Sequence, residues 1–122
     1  MRAVVVFAHG SRDPLWRRPV EAVADAIAAL DPSSRVGCAY LELCEPSLPA
    51  AVAELVATGA SDIRVLPLFF GMGKHAREDL PSLMAALQQQ YPTVRLHLLP
   101  PAGEHPRLIG LLAEIALEDR PA

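Results

Sequence analysis

The sequence predicts an α/β protein in which helices cover both faces of a four-stranded parallel sheet. Strand-like apolar runs alternate with helix-like segments along the whole chain, in the order β-α-β-α-β-α-β-α. The first and third runs, 2–8 and 62–69, are nearly all apolar, which is typical of central parallel strands. Right-handed crossovers then favour the flavodoxin-like strand order 2-1-3-4, with strands one and three side by side.

The first half of the chain supplies two strands and two helices. Helix 16–30 ends at Asp31-Pro32, because the residue before a proline disfavours helical geometry. The second strand covers 35–41, and Ser47 is expected to cap a second helix that ends at Gly59. The predicted apolar faces are Val20, Val23, Ala24 and Ile27 in the first helix, and Leu48, Ala51, Val52, Leu55 and Val56 in the second.

The second half of the chain repeats the pattern. Asp79 is expected to cap a third helix, which ends at Tyr91-Pro92. Strand four then covers 94–99, and a last helix covers 105–118. Segment 70–79 is therefore predicted to be the longest irregular one. The apolar stripe of the third helix is Leu80, Leu83, Met84 and Leu87.

Size and composition indicate one domain spanning residues 1–122. Apolar residues make up 52% of the chain and charged residues 20%, which is enough for a packed core. The net charge of −3 gives no reason to expect binding to nucleic acid or to an anionic membrane. No apolar run approaches a membrane span and no signal peptide is recognisable, so we expect a cytoplasmic protein. Cys38 and Cys44 are then expected to be free thiols.

Two histidines follow the two central strands. His9 comes directly after the first strand, and His75 follows the third after a segment that contains Gly71 and Gly73. The carboxyl ends of parallel strands meet at one edge, where ligands bind at the switch in strand order, so we expect both imidazoles at one site. Glu42, which follows the second strand, is expected at the same edge.

Two imidazoles and a carboxylate with open coordination positions suit Co²⁺, Fe²⁺, Ni²⁺ or Zn²⁺. The same groups can accept protons, because imidazole titrates near neutral pH. Taken singly, each histidine is more often a loop or capping residue, and Glu42 a solvated one. His105, at the start of the last helix, fits a structural role and a site role equally, whereas His97, inside strand four, is interpreted as structural or surface.

Basic residues cluster on or just beyond the two histidine segments. In an acidic protein this clustering indicates an anionic, carboxylated ligand. The chain has no G-x-S-x-G elbow, no phosphate-binding G-x-x-x-x-G-K-[ST] loop and no G-x-G-x-x-G after strand one, so no nucleotide is expected. The basic residues are Arg12, Arg17, Arg18, Lys74 and Arg77.

Three segments resemble the sirohydrochlorin chelatases of the CbiX type. The segment Ala8-His9-Gly10-Ser11-Arg12-Asp13-Pro14 is similar to the opening of that family. Segment 67–81, which contains Phe69-Phe70-Gly71-Met72-Gly73-Lys74-His75, is similar to its second metal-site segment. Leu41-Glu42 followed by Pro46-Ser47-Leu48 resembles its middle segment. The likeness covers nearly the whole chain, and the two histidine motifs together are specific.

The resemblance implies insertion of a divalent metal into sirohydrochlorin, without ATP, on the way to cobalamin or sirohaem. The preferred metal would be Co²⁺, and Fe²⁺ or Ni²⁺ would be the alternatives. His9 and His75 would be metal ligands and proton acceptors, and Glu42 a further ligand or base. The tetrapyrrole would contact Ser11, Arg12, Leu43, Phe70, Met72 and Lys74.

Short members of that family form homodimers with their sites at the interface, so the resemblance also implies a homodimer. Two other functions stay open. One is a metal or tetrapyrrole carrier without turnover. The other is a hydrolase or isomerase that uses His9 as a base on a different anion.

Overall fold

The sheet contains four parallel strands in the order β2-β1-β3-β4, which confirms the predicted fold class and strand order. The computed structural model describes residues 1–119; residues 120–122 of the predicted 1–122 domain lie outside the described residues. No helix of the described part is long and apolar enough to cross a membrane. The strands are β1 (Arg2–Ala8), β2 (Arg35–Tyr40), β3 (Asp62–Pro67) and β4 (Arg95–Leu98).

Helices alternate with the strands as predicted. Ser47 caps α2, because its hydroxyl oxygen accepts the backbone N–H of Ala50 at 3.3 Å. Gly59, with φ +101°, follows the end of the same helix. Two 3-10 turns, Pro14–Arg17 and Ala102–Glu104, precede the first and last helices. The helices are α1 (Arg18–Leu30), α2 (Leu48–Ala57), α3 (Lys74–Gln90) and α4 (Pro106–Ala116).

The predicted start of α3 is wrong. The helix begins at Lys74 rather than after Asp79, and Gly73 takes the N-cap position without a side-chain hydrogen bond. Pro81 lies inside the helix. It is exposed, so water can reach the carbonyl oxygen of Arg77 that loses its donor. The irregular segment before α3 is therefore shorter than predicted, and His75 lies in the first helical turn.

Other boundaries differ from prediction by a few residues. Each predicted strand from the second onward is slightly too long, since regular pairing stops before the apolar pattern does. The first helix starts later than expected, because a 3-10 turn capped by the Asp13 carboxylate precedes it. The last helix is shorter at both ends, and His105 is its N-cap.

The two faces of the sheet are covered differently. Helices α2 and α3 pack on one face and bury the larger part of the core, around Val5, Ile63 and Val65. On the other face, α1 packs through its predicted apolar residues against Val6 and Tyr40. The fourth helix buries no residue, and an open groove of about 690 Å³ separates it from α1. The floor of this groove includes Leu66 and Leu68 from β3.

Candidate active site

The carboxyl edge of the sheet brings His9 and Glu42 into contact. The His9 Nε2 atom lies 3.1 Å from the Glu42 Oε1 atom. Both side chains remain accessible, at 57% and 55% exposed. Residues from the ends of β1 and β2 therefore form an imidazole–carboxylate pair that solvent and a ligand can reach.

Backbone contacts hold this pair together. Beyond the regular strands, the N–H of Leu41 donates to the carbonyl oxygen of Ala8 at 2.9 Å, and the N–H of Glu42 donates to that of His9 at 3.0 Å. Gly10 is buried with φ +109°, and a Cβ there would meet the Glu42 carbonyl oxygen at 1.8 Å. Only glycine fits this close approach. Leu43 also has a left-handed backbone, with φ 68°.

Phe69 is a site residue that sequence reasoning missed. Its ring meets the His9 ring edge to face, with centroids 6.4 Å apart and an interplanar angle of 88°. Its other contact is with Phe7 in the core, at 6.0 Å and 86°. The only sequence signal was position: Phe69 follows β3, which pairs with β1.

His75 is exposed and lies at the start of α3, beyond β3. The prediction that His9 and His75 lie at the ends of neighbouring strands agrees with the β1–β3 pairing. Within residues 1–119, however, no three His, Cys, Asp or Glu side chains are grouped closely enough to hold a metal. In this arrangement, His75 and the His9–Glu42 pair therefore do not form a ready-made three-ligand site within one chain.

The other predicted contact residues differ in how exposed they are. Arg12 and Lys74 are exposed, as a role in binding a carboxylate requires. The Ser11 hydroxyl oxygen accepts the N–H of Asp13 at 3.1 Å, so part of its capacity serves the local turn. Leu43 and Phe70 are exposed apolar residues, at 49% and 73%. Met72 is half-buried and packs against the core.

The predicted basic cluster is divided. Arg12, Arg18, Lys74 and Arg77 are exposed, whereas Arg17 is half-buried. Its Nε atom is buried and has no hydrogen-bond partner within the described part of the chain. Arg17 is thus less accessible to a ligand than the other four basic residues.

A buried phenol lies at the end of β2. Burial raises the pKa of Tyr40 to about 12, with the nearby Cys38, Cys44 and Glu21 adding to this and Arg17 opposing it. Burial likewise raises the pKa of the Cys38 thiol. Both cysteines are free and half-buried, as predicted.

The two remaining histidines have local roles. The His105 Nδ1 atom accepts the N–H of Arg107 at 3.1 Å, which caps α4. In the neutral ring this leaves the proton on Nε2, so neither nitrogen offers a free lone pair to a metal in this arrangement. His97 is exposed on β4, with its Nε2 atom 3.4 Å from the Asp62 carboxylate, in agreement with a surface role.

Comparisons with known proteins identify the family. The CbiX family model matches residues 3–119. A sirohydrochlorin cobaltochelatase from Methanopyrus kandleri is 36% identical over 84 residues, which are 69% of this chain and 59% of that protein. The chain thus spans less than two thirds of the length of that relative.

Solved structures agree with this assignment. A CbiX protein of cobalamin (vitamin B12) biosynthesis from Marinobacter aquaeolei VT8 is 30% identical, with a TM-score of 0.82 over 95% of this chain and 94% of that one. The sirohydrochlorin chelatase SirB from Bacillus subtilis subspecies spizizenii, solved in complex with cobalt, is 27% identical. Its TM-score is 0.77 over 94% of this chain and 49% of the SirB chain. This protein belongs to the CbiX family.

Proposed function

We propose that this protein inserts a divalent metal into sirohydrochlorin. Co²⁺ is the preferred candidate for this metal and Fe²⁺ is the alternative. The observation that carries the proposal is the exposed His9–Glu42 pair at the ligand-binding edge of a CbiX-family sheet. The cobaltochelatase relative and the cobalt complex of SirB support the choice of metal. We further propose that residues 1–122 act as one chelatase domain in the cytoplasm, without ATP or any other nucleotide.

The His9–Glu42 contact suggests how His9 acts. A carboxylate at 3.1 Å accepts a hydrogen bond, so it keeps the imidazole proton on Nε2. The Nδ1 atom of His9 then has a free lone pair, which can bind the metal or accept a proton. Metal insertion removes two pyrrole N–H protons, so the site needs proton acceptors as well as ligands.

Weak ligation suits the transfer of a metal to another ligand. His9 and His75 would bind the incoming ion, and Glu42 would support His9 or bind the ion itself. Because protein ligands occupy few coordination positions, the tetrapyrrole nitrogens can take the others. Ni²⁺ has similar ligand preferences. Insertion assays with Co²⁺, Fe²⁺ and Ni²⁺ therefore decide which metal the protein prefers.

The substrate contacts follow from exposure and charge. Arg12 and Lys74 would bind the carboxylates of sirohydrochlorin, and Ser11 would add a hydroxyl donor. Leu43 and Phe70 would contact the flat face of the macrocycle, since both are exposed apolar residues. Met72, which is half-buried against the core, would add a smaller apolar surface.

The test is anaerobic metal insertion followed by the absorbance of the macrocycle. We expect His9→Ala and His75→Ala each to lower kcat/KM by about a hundredfold or more. His97→Ala is the matched control, because His97 is also exposed but pairs with Asp62. Wild-type rates in both site variants would refute the site assignment. Parallel assays with Co²⁺, Fe²⁺ and Ni²⁺ rank the metals.

A metal or tetrapyrrole carrier is the second candidate. The observation in its favour is that one chain groups fewer than three potential ligands within residues 1–119. A carrier would bind Co²⁺ or sirohydrochlorin but give no insertion rate above the spontaneous one. Binding with turnover would exclude it.

We also propose that the active form is a homodimer. The apolar stripe of α4 is unburied: Leu111 and Ile115 are 50% and 48% exposed, and the groove beside this helix is open. Soluble monomers rarely leave a large continuous apolar patch exposed. The SirB chain is about twice as long as this one, since 94% of this chain matches 49% of it. SirB is thus long enough to contain a second unit of about this size. This favours a second copy of the present chain as the partner that covers α4.

The dimer proposal is tested by light scattering. We expect a mass of two chains for the wild type and of one chain for Leu111→Glu with Ile115→Glu. Leu30→Glu is the control, because Leu30 is also an exposed helical leucine, at 88%, but lies at the end of α1. A monomeric wild type that is fully active would refute the proposal.

A further inference from the structure

Phe69 connects the candidate site to the core. Its ring meets that of Phe7, which is only 2% exposed, and also that of His9. Both contacts are edge to face, a favourable arrangement for aromatic rings. The His9 ring therefore has an apolar partner on one side and the Glu42 carboxylate on another.

The hydrogen bond alone holds His9 weakly. Both members of the His9–Glu42 pair are more than half exposed, and exposed ion pairs and hydrogen bonds compete with water. A ring held by one such contact can rotate away from its partner. A second contact from a residue anchored in the core would restrict this rotation.

Phe69 is itself fixed through its backbone. The N–H of Leu68 donates to the carbonyl oxygen of Phe7 at 2.8 Å, and the N–H of Gly103 donates to that of Phe69 at 2.8 Å. A Cβ on Gly103 would lie 2.1 Å from the Phe70 Cα atom. The turn Ala102–Glu104 thus packs directly on the Phe69–Phe70 backbone and leaves it little freedom.

We propose that Phe69 is a positioning residue that orients the His9 imidazole toward Glu42. The proposal rests on the proposed function, in which His9 is a metal ligand and proton acceptor. Phe69 acts through His9 and makes no contact with the metal. Its edge-to-face packing keeps Nε2 directed at the carboxylate, which maintains the proton on Nε2 and the lone pair on Nδ1.

The test compares Phe69→Leu, which removes the ring, with Phe69→Tyr, which keeps it. Leu83→Ala is the control for a loss of core packing alone, because Leu83 is half-buried against the same core cluster. Long-range ¹H–¹⁵N spectra of the imidazoles report the tautomer of His9, assigned with His9→Gln. Steady-state kinetics report kcat and KM for the tetrapyrrole.

We expect a single Nε2–H tautomer in the wild type and in Phe69→Tyr, and a mixture of tautomers in Phe69→Leu. We expect kcat to fall about tenfold in Phe69→Leu, with KM for the tetrapyrrole nearly unchanged. Leu83→Ala should lower the unfolding temperature without either change. A wild-type tautomer in Phe69→Leu would overturn the proposal. The spectra need no turnover, so failure of the proposed function would appear separately, as a wild type without insertion activity.

Discussion

The two histidine segments differ in how firmly the fold holds them. His9 is restrained by the Glu42 carboxylate, the Phe69 ring and a backbone contact that requires Gly10. His75 lies in the first turn of α3, exposed and after an N-cap glycine that makes no side-chain cap. One imidazole is thus pre-oriented by its neighbours, whereas the other is placed only by the helix that carries it.

This difference suits the proposed transfer of a metal to the tetrapyrrole. A pre-oriented imidazole with a fixed tautomer can bind an ion or take a proton without first rearranging. A less restrained imidazole can adjust as the coordination of the ion changes. We therefore expect the His9 side to be more sensitive than the His75 side to small changes in its surroundings.

The largest expected effect comes from the glycines beside the two histidines. Gly10→Ala forces a Cβ into the Glu42 carbonyl oxygen at a φ of +109°, so it should destabilise the fold by about 3 kcal/mol and lower the insertion rate. Gly73→Ala is the matched change on the His75 side. Gly73 has a φ of −62° and open space at its Cβ position, so the cost is limited to alanine being a poorer N-cap, and the effect should stay within about 1 kcal/mol.

Chemical denaturation and the insertion assay measure this pair of variants. Equal destabilisation by the two substitutions would show that the fold holds both histidine segments equally firmly, which contradicts the proposed difference. A large effect confined to Gly10→Ala would support that difference.

The next effect concerns the Glu42 charge. Glu42→Gln keeps the size of the side chain but weakens its hold on the His9 proton, so Co²⁺ affinity and insertion rate should fall about ten- to a hundredfold. The free energy of unfolding should change by less than about 1 kcal/mol, because the pair is exposed. Isothermal titration with Co²⁺ measures the affinity.

Glu45→Gln is the control, since Glu45 is an exposed carboxylate in the same segment. In imidazole spectra, Glu42→Gln should move the His9 signals and leave those of His75 in place. A shift of both histidines would mean that the two sides are coupled more closely than the comparison supposes.

The smallest effect tests the packing beneath the His9 side. The pKa of Tyr40 is raised to about 12, above the value of about 10 in an unfolded chain. The unfolded state therefore loses the phenol proton at a lower pH than the folded state. The free energy of unfolding then falls as the pH rises from about 10 to about 12. The loss should reach about 1.4 kcal/mol near pH 11, and Tyr40→Phe should remove it.

Unfolding at several alkaline pH values checks this expectation. The Cys38 thiol, whose pKa is also raised, interacts with this phenol, so the difference between the two proteins reports the phenol together with that interaction. Tyr40→Phe with the same alkaline loss as the wild type would show that the phenol is not protected by burial.

The overall architecture was predictable because it depends on patterns repeated over many residues. Apolar runs and their alternation with amphipathic segments gave the parallel sheet, and the crossover rule gave its order. The start of α3 was missed because Asp79 is a strong local signal for an N-cap, whereas the helix begins at Lys74 and tolerates the exposed Pro81 in its interior. Local signals near a boundary are easily outweighed by the rest of the helix.

The site was predictable only in part. His9 and Glu42 were expected at one edge of the sheet, since strand ends place them there, but their direct contact depends on backbone pairing beyond the strands. Phe69 was marked only by its position after β3 and Gly103 by no signal, because their roles arise from contacts between segments that are distant along the chain.

The sequence alone determined the sheet, its strand order and the edge at which the two histidines emerge, since these follow from periodicity and from the handedness of the chain. Only the tertiary structure decided which of them is restrained, and by what. That decision rests on ångström-scale approaches between loops, such as Gly10 against Glu42, and no one-dimensional pattern encodes such distances.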